Sequence, residues 1–126
     1  MEKLCKIRDI QRAVAVFEKR FETRYGICLN EGMALCSLYK SSPLSSGEIG
    51  ELLGLSSSNA SKVITSIEEK GLVERVLGTK DKRRMYFSLT AEGRNLISGI
   101  RCEDVEIPEL LKEIVEKELQ QTTYRL

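Results

Sequence analysis

The sequence predicts a mainly α-helical fold with one small β-hairpin, and three observations lead to this class. Apolar residues recur at helical spacing near both ends of the chain. In the middle, serine caps and glycine stops mark two consecutive helices, and two β-type runs around a polar turn follow them directly. A chain of 126 residues has the usual length of one compact domain, so we expect a single domain over residues 1–126.

Composition excludes several functional classes. The chain is 41% hydrophobic and 31% charged, as globular proteins are, and no apolar run approaches the roughly 20 residues that cross a membrane. The first residues do not resemble a secretory signal, so we expect a cytoplasmic protein with reduced cysteines. There is no histidine, the commonest general base and metal ligand. We therefore expect no enzymatic activity, no catalytic residues, no cofactor and no metal site.

The net charge of +1 is unevenly distributed along the chain. Residues 1–55 carry 8 basic and 7 acidic groups, residues 56–101 carry 9 and 5, and residues 102–126 carry 3 and 7. The regional charges are therefore +1, +4 and −4. A basic middle on a nearly neutral protein indicates a local contact with a polyanion.

The N-terminal segment predicts a helix that Gly26 ends and that carries a narrow apolar stripe. The stripe residues are three and four positions apart: Ile7, Ile10, Val14, Phe17 and Phe21. This spacing is typical of a helix that pairs with another helix, so we expect it to take part in dimerisation. The alternative is an ordinary amphipathic helix that packs only on its own core.

The next segments predict a helix-turn-helix. Asn30 is expected to cap a helix that ends near Tyr39, before Pro43. Ser45 and Glu48 form a capping-box pattern at the start of a short helix.

In that short helix Ile49, Leu52 and Leu53 are expected to face inward, and Gly54 should end it. Ser56 then caps a longer helix from Ser57 to about Lys70. A short helix, a glycine turn and a capped longer helix are the parts of a helix-turn-helix.

The longer helix has one apolar and one polar face. At about 100° per residue, Ala60, Val63, Ile64 and Ile67 fall on one side, which we expect to be core. The outward positions hold short hydrogen-bonding side chains and one lysine: Ser57, Ser58, Asn59, Ser61, Lys62 and Thr65. Such a face suits close approach to a groove, whereas simple capping and solubility would be the explanation for a serine-rich helix that stood alone.

A β-hairpin with a basic turn follows this helix. The β-type runs are Leu72–Leu77 and Met85–Leu89. Four cations and one carboxylate occupy the end of the turn: Lys80, Asp81, Lys82, Arg83 and Arg84. A hairpin after a helix-turn-helix is a wing, and its cations suit a minor groove, where the negative potential is concentrated. The alternative is a solvated loop.

The C-terminal part predicts two more helices. Thr90 caps the first, and Pro108 opens a short last helix, whose apolar positions include Leu110, Leu111 and Ile114. The opposite side of the last helix is acidic, so DNA would repel it and we expect it beside the first helix. The two ends of the chain therefore form an assembly layer.

Three ordered motifs make the chain resemble the MarR family of winged-helix transcription factors over nearly its whole length. Residues 55–64, LSSSNASKVI, resemble the opening of the family's recognition helix. Residues 67–75, IEEKGLVER, resemble its helix-to-strand exit. Asp81-Lys82-Arg83 and residues 89–94, LTAEGR, resemble its wing and the start of the following helix.

This resemblance implies a regulator, in the role of a repressor, that binds an inverted-repeat operator in double-stranded DNA as a homodimer. The six outward residues of the longer helix would face the major groove, and Arg83 would enter the minor groove with Asp81 positioning a neighbouring arginine. Residues 30–89 would bind DNA, and residues 1–25 and 90–126 would supply dimerisation helices. The residues expected in the dimer interface are Ile7, Ile10, Val14, Phe17, Leu110, Leu111 and Ile114.

The resemblance also implies regulation by a small molecule or an oxidant. Some relatives sense oxidants through a cysteine near the start of the first helix, where this chain has Cys5. The alternative function is a winged-helix module that binds another protein without DNA, for which a neutral or apolar wing would be expected.

Overall fold

The computed structural model describes residues 1–78, 83–101 and 104–125, the last four by their backbone alone. The predicted wing-tip residues Lys80, Asp81 and Lys82 therefore lie outside the described residues. The elements in chain order are α1 (Glu2–Tyr25), α2 (Leu29–Lys40), β1 (Leu44–Ser45), α3 (Ser46–Leu53), α4 (Ser57–Glu69), β2 (Val73–Leu77), β3 (Met85–Leu89), α5 (Ala91–Gly99) and α6 (Glu109–Arg125). The predicted mainly helical fold with a β-hairpin wing is confirmed.

The chain forms two compact units. One comprises Met1–Gly26 and Arg101–Leu126, and the other is Ile27–Ile100. We call them the terminal unit and the winged unit. This division differs from the predicted boundary at residue 90, because α5 belongs to the winged unit. The start of α5 is bonded there: the Thr90 hydroxyl donates to the Gly71 carbonyl at 2.6 Å, and the Thr90 amide to the Leu72 carbonyl at 3.1 Å.

The winged unit is built on a buried core and a three-stranded antiparallel sheet. Leu35 and Leu38 of α2, Ile49 of α3 and Ile67 of α4 are its largest fully buried side chains. The strand order is β1-β3-β2. Strand β1 was not predicted, since a pair of residues is too short to show an alternating pattern. It pairs with the outer edge of the hairpin, where Leu44 lies opposite Phe87.

Local capping fixes the ends of the helix-turn-helix as predicted. The Glu48 amide donates to the Ser45 hydroxyl, and the Glu48 carboxylate accepts from the Ser45 amide, both at 3.2 Å. Gly54 ends α3 with φ of 68°, a left-handed conformation that glycine adopts without steric cost. The Asn59 amide then donates to the Ser56 hydroxyl at the start of α4.

Two predictions about helices α2 and α3 are wrong. Helix α2 begins two residues earlier than expected, so its N-cap is Cys28, and Asn30 lies inside the first turn. Leu52 of α3 is 63% exposed, because α3 turns Ile49, Gly50 and Leu53 inward. Leu52 lies about 100° from Leu53 on the helix, which places it outside this face.

The terminal unit contains α1 and α6. Gly26 ends α1 in the left-handed conformation, as predicted. The Tyr25 hydroxyl donates to the Arg101 carbonyl at 2.9 Å, and Arg20 donates to the Glu106 carbonyl at the same distance. Helix α6 spans 17 residues, so the prediction of a short last helix is wrong. Across the described residues, the helices include none with the length and apolar character needed to cross a bilayer.

Candidate nucleic-acid interface

Helix α4 separates its predicted functional face cleanly from the core. Ala60, Ile64 and Ile67 are buried, and Val63 is half-buried. The predicted major-groove residues are all exposed: Ser57, Ser58, Asn59, Ser61, Lys62 and Thr65. Because the buried face holds the helix from behind, these side chains share one open surface. Their hydroxyl and amide groups can donate and accept hydrogen bonds, and Lys62 adds one positive charge.

The N-terminal end of α4 is electrostatically suited to an anion. No acidic residue lies in its first turn. The Ser56 hydroxyl accepts a hydrogen bond from the Asn59 amide, and Ser57 and Ser58 are exposed next to it in the chain. Amides at a helix N-terminus carry partial positive charge, and here no carboxylate in that turn offsets it.

The wing brings two of the predicted cations to the surface. Arg83 and Arg84 immediately precede β3 and are both exposed. The hairpin beneath them has a regular register, with Leu77 opposite Met85 and Arg75 opposite Phe87. The structure therefore places Arg83 and Arg84 at the end of the two-stranded ribbon where the chain passes from β2 to β3.

Two other cations of the basic middle region are exposed but are paired with carboxylates of the same chain. Arg75 of β2 donates to both Glu68 carboxylate oxygens of α4, at 2.7 and 3.3 Å, and holds the pKa of Glu68 below its usual value. Lys70 lies 2.8 Å from a Glu31 oxygen. Both are among the 9 basic groups counted in residues 56–101. Each pair offsets one positive charge of this region. Lys62 on α4 and Arg83 and Arg84 on the wing are exposed.

Glu31 is a buried residue that sequence reasoning missed. It is 4% exposed, and its carboxylate accepts hydrogen bonds from Lys70, Ser66 and the Cys28 amide. Burial by itself raises the pKa of Glu31, but the hydrogen bonds from Lys70, the Cys28 amide and Ser66 outweigh it and hold the pKa at about 2, below the ordinary 4.5. A signal was available, because Glu31 precedes the buried Leu35 and Leu38 at helical spacing and so shares their face.

The terminal unit leaves part of its predicted dimer surface uncovered. Ile7 is 53% exposed and Val14 36% exposed on α1, and Ile114 of α6 is 40% exposed. The other predicted interface residues are half-buried: Ile10, Phe17, Leu110 and Leu111. Cys5, the predicted oxidant-sensing residue, is exposed in the first turns of α1.

Comparison with known proteins finds similarity to one family. The MarR family model matches residues 27–85, the greater part of the winged unit. An HTH-type transcriptional regulator of Bacillus subtilis strain 168, YwaE, is 29% identical over 93 residues. The match covers 74% of this chain and 54% of YwaE, so the chain spans about half the length of that relative.

Solved structures with this fold include complexes with DNA. Reduced AbfR bound to DNA is 26% identical, with a TM-score of 0.65 over 98% of this chain and 91% of AbfR. A mutant of MarR from E. coli, complexed with operator DNA, is 19% identical, with a TM-score of 0.71 over the same shares of the two chains. At 19% identity the second likeness concerns the fold alone.

Proposed function

We propose that the chain is a transcriptional regulator of the MarR type that binds double-stranded DNA and represses its target. The match of the MarR family model to residues 27–85 supports this proposal. The observation that most directly supports DNA binding is the exposed polar surface of α4. Short hydroxyl and amide side chains and Lys62 cover that surface, while the opposite side of the helix is fixed in the core. The curated relative is named a transcriptional regulator, and AbfR and MarR have been solved on DNA.

The residues of α4 and the wing make different kinds of contact with DNA, according to their chemistry. Asn59 and the serine and threonine hydroxyls of α4 read base edges in the major groove. Lys62 adds positive charge at that groove. Phosphates and the minor groove are contacted by the cations of the wing: Lys80, Lys82, Arg83 and Arg84. Asp81 orients a neighbouring arginine. Phosphate contacts supply affinity and base contacts supply sequence preference.

A homodimer would present two copies of α4 to successive major grooves about 34 Å apart, which requires an inverted-repeat site. The exposed Ile7, Val14 and Ile114 support this assembly, because pairing removes apolar surface from water. The remaining residues of the proposed interface are Ile10, Phe17, Leu110 and Leu111.

A gel shift on the intergenic DNA upstream of the chain's own coding sequence, titrated with salt, tests the proposal. We expect specific binding whose logarithm falls linearly with the logarithm of salt concentration. A protein that prefers no duplex even in dilute buffer contradicts DNA binding. Such a protein would favour the alternative of a module that binds another protein.

Arg83→Ala is expected to weaken DNA binding by about 1–3 kcal/mol, because it removes the proposed minor-groove contact. Fluorescence anisotropy at fixed salt measures the change. Arg8→Ala, which removes an exposed arginine from α1 in the terminal unit, is the charge-matched control and should bind as the wild type does. Wild-type affinity in Arg83→Ala would remove this residue from the interface.

Val14→Glu is expected to raise the dissociation constant of the dimer by about 100-fold or more, because it buries an unpaired carboxylate in an apolar contact. Sedimentation equilibrium measures the change as a shift toward monomer mass. Thr23→Glu adds the same charge about half a turn round α1 and serves as the control. If Val14→Glu remains as dimeric as Thr23→Glu, the stripe on α1 is not the interface.

A small ligand or an oxidant is proposed to release the protein from DNA. The exposure of Cys5 supports oxidation at this thiol, and AbfR bound to DNA is described as reduced. We expect hydrogen peroxide to abolish DNA binding by the wild type, and Cys5→Ser to keep its binding in the same gel shift. Unchanged binding by the oxidised wild type excludes Cys5 as a sensor and leaves a small ligand as the effector.

A further inference from the structure

The Glu31 carboxylate of α2 accepts hydrogen bonds from side chains at the C-terminal end of α4. The Lys70 ammonium donates to both oxygens of Glu31, at 2.9 and 2.8 Å. The Ser66 hydroxyl donates to one of them at 2.8 Å. The Cys28 amide donates to the other at 2.8 Å and ties the same carboxylate to the start of α2. Three of these four hydrogen bonds join α2 to α4, and the fourth lies within the start of α2.

These bonds constrain α4 in a way that its apolar contacts do not. Ala60, Ile64 and Ile67 pack α4 on the core, but apolar packing is not directional and tolerates small rotations and shifts. Hydrogen bonds to a charged acceptor are directional and short. Since Ser66 and Lys70 are one turn apart on α4, holding both defines the rotation and the axial position of the helix.

We infer that Glu31 is a positioning residue for DNA recognition, which fixes α4 against α2 and keeps the Lys70 ammonium out of phosphate contact. This inference rests on the proposed function. Glu31 touches no base itself. It acts through Ser66 and Lys70, and the surface it positions begins at the neighbouring residue, Thr65.

A small tilt of α4 at the Glu31 end produces a larger displacement at its N-terminal end. Ser58 lies two turns from Ser66, about 12 Å along the helix axis at 1.5 Å per residue. A tilt of about 5° at the Glu31 end therefore moves the outward face near Ser58 by about 1 Å. Displacements of that size are enough to break hydrogen bonds to base edges, whose lengths vary by only a few tenths of an ångström. Contacts to phosphates through long, flexible side chains are less sensitive.

The test compares two duplexes, one selected by the wild-type protein from a random pool and one unselected, across a salt titration. Glu31→Gln and Lys70→Gln should each lower affinity for the selected duplex roughly tenfold, the size of one mismatched base pair. Neither should weaken binding to the unselected duplex or reduce the salt slope. The double variant should lose no more affinity for the selected duplex than the single variant with the larger loss, because both changes break the same contact.

Lys62→Gln on the open side of α4 is the matched control for Lys70→Gln. It removes the same charge from the same helix, and we expect it to reduce the salt slope by about one. If Lys70→Gln reduces the slope as Lys62→Gln does, Lys70 contacts phosphate and the inference is wrong. A folded Glu31→Gln protein with the wild-type preference between the duplexes also overturns it.

Failure of the proposed function has a different result, since a wild-type protein that binds neither duplex overturns DNA binding and the inference together.

Ser66→Ala covers the case in which Glu31→Gln does not fold, because it keeps the ion pair and removes a single hydrogen bond. We expect it to reduce the preference for the selected duplex about twofold to threefold. Ser37→Ala, which removes an exposed hydroxyl bonded to its own helix α2, should leave the preference unchanged. An equal loss on both duplexes in Ser66→Ala would indicate a smaller folded fraction and contradict positioning.

Discussion

Gly93→Ala is expected to lower the free energy of unfolding by about 2–3 kcal/mol. Gly93 lies in the first turn of α5, and a Cβ atom there would overlap the carbonyl oxygen of Leu72. The obstacle is backbone at the turn between α4 and β2, which cannot rotate away as a flexible side chain would. Accommodating the methyl group would displace α5 and strain the bonds from Thr90 to Gly71 and Leu72. Urea unfolding followed by circular dichroism measures the loss.

Gly99→Ala is the control within the same helix. A Cβ at Gly99 meets no atom of the described residues within 4 Å. Alanine has a higher helix propensity than glycine, so this variant should be as stable as the wild type or up to about 1 kcal/mol more stable. If both variants unfold at the same urea concentration, α5 does not approach the turn as closely as the structure indicates.

Glu31→Gln is expected to lower the free energy of unfolding by about 3 kcal/mol at pH 7, because a pKa lowered from 4.5 to about 2 corresponds to that stabilisation. The folded protein holds the pKa below its unfolded value. The stabilisation is therefore fully present above about pH 4.5 and is lost as the pH falls toward 2. The stability curves of the wild type and the variant should converge across this range.

Urea unfolding at a series of pH values from 7 downward measures this convergence. Glu69→Gln, which changes an exposed carboxylate on α4, should stay within about 0.5 kcal/mol of the wild type. Parallel curves for the wild type and Glu31→Gln below pH 4.5 would show that the carboxylate is not held as the structure places it.

The features that could be predicted from the sequence depend on short-range chemistry. Ser45 with Glu48, Ser56 with Asn59 and Gly54 with its own backbone each act within one helical turn, so their spacing in the sequence is sufficient. The outward face of α4 follows from the same local periodicity. The fold class was therefore accessible, as was the position of the candidate site.

The features that escaped prediction depend on partners far apart in the chain. Glu31 and Lys70 are separated by 39 positions, and no periodicity relates them. Strand β1 exists because it lies against β3, and its two residues carry no pattern of their own. Leu52 was misplaced because the inward direction of α3 depends on Gly50, which leaves room for Ala60 of α4. In each case a tertiary neighbour decides the outcome.

The bidentate pair between Arg75 and Glu68 has a consequence for the shape of DNA that the protein can accept. It joins the middle of the hairpin to α4, and the Arg75 guanidinium also lies over the Phe87 ring. With the hairpin and the helix joined, the protein would set the distance between the two groove contacts proposed above. A duplex must then adopt the matching groove width, and flexible base steps do so at lower energy than stiff ones. Base pairs that no side chain touches would thereby influence which sites are occupied.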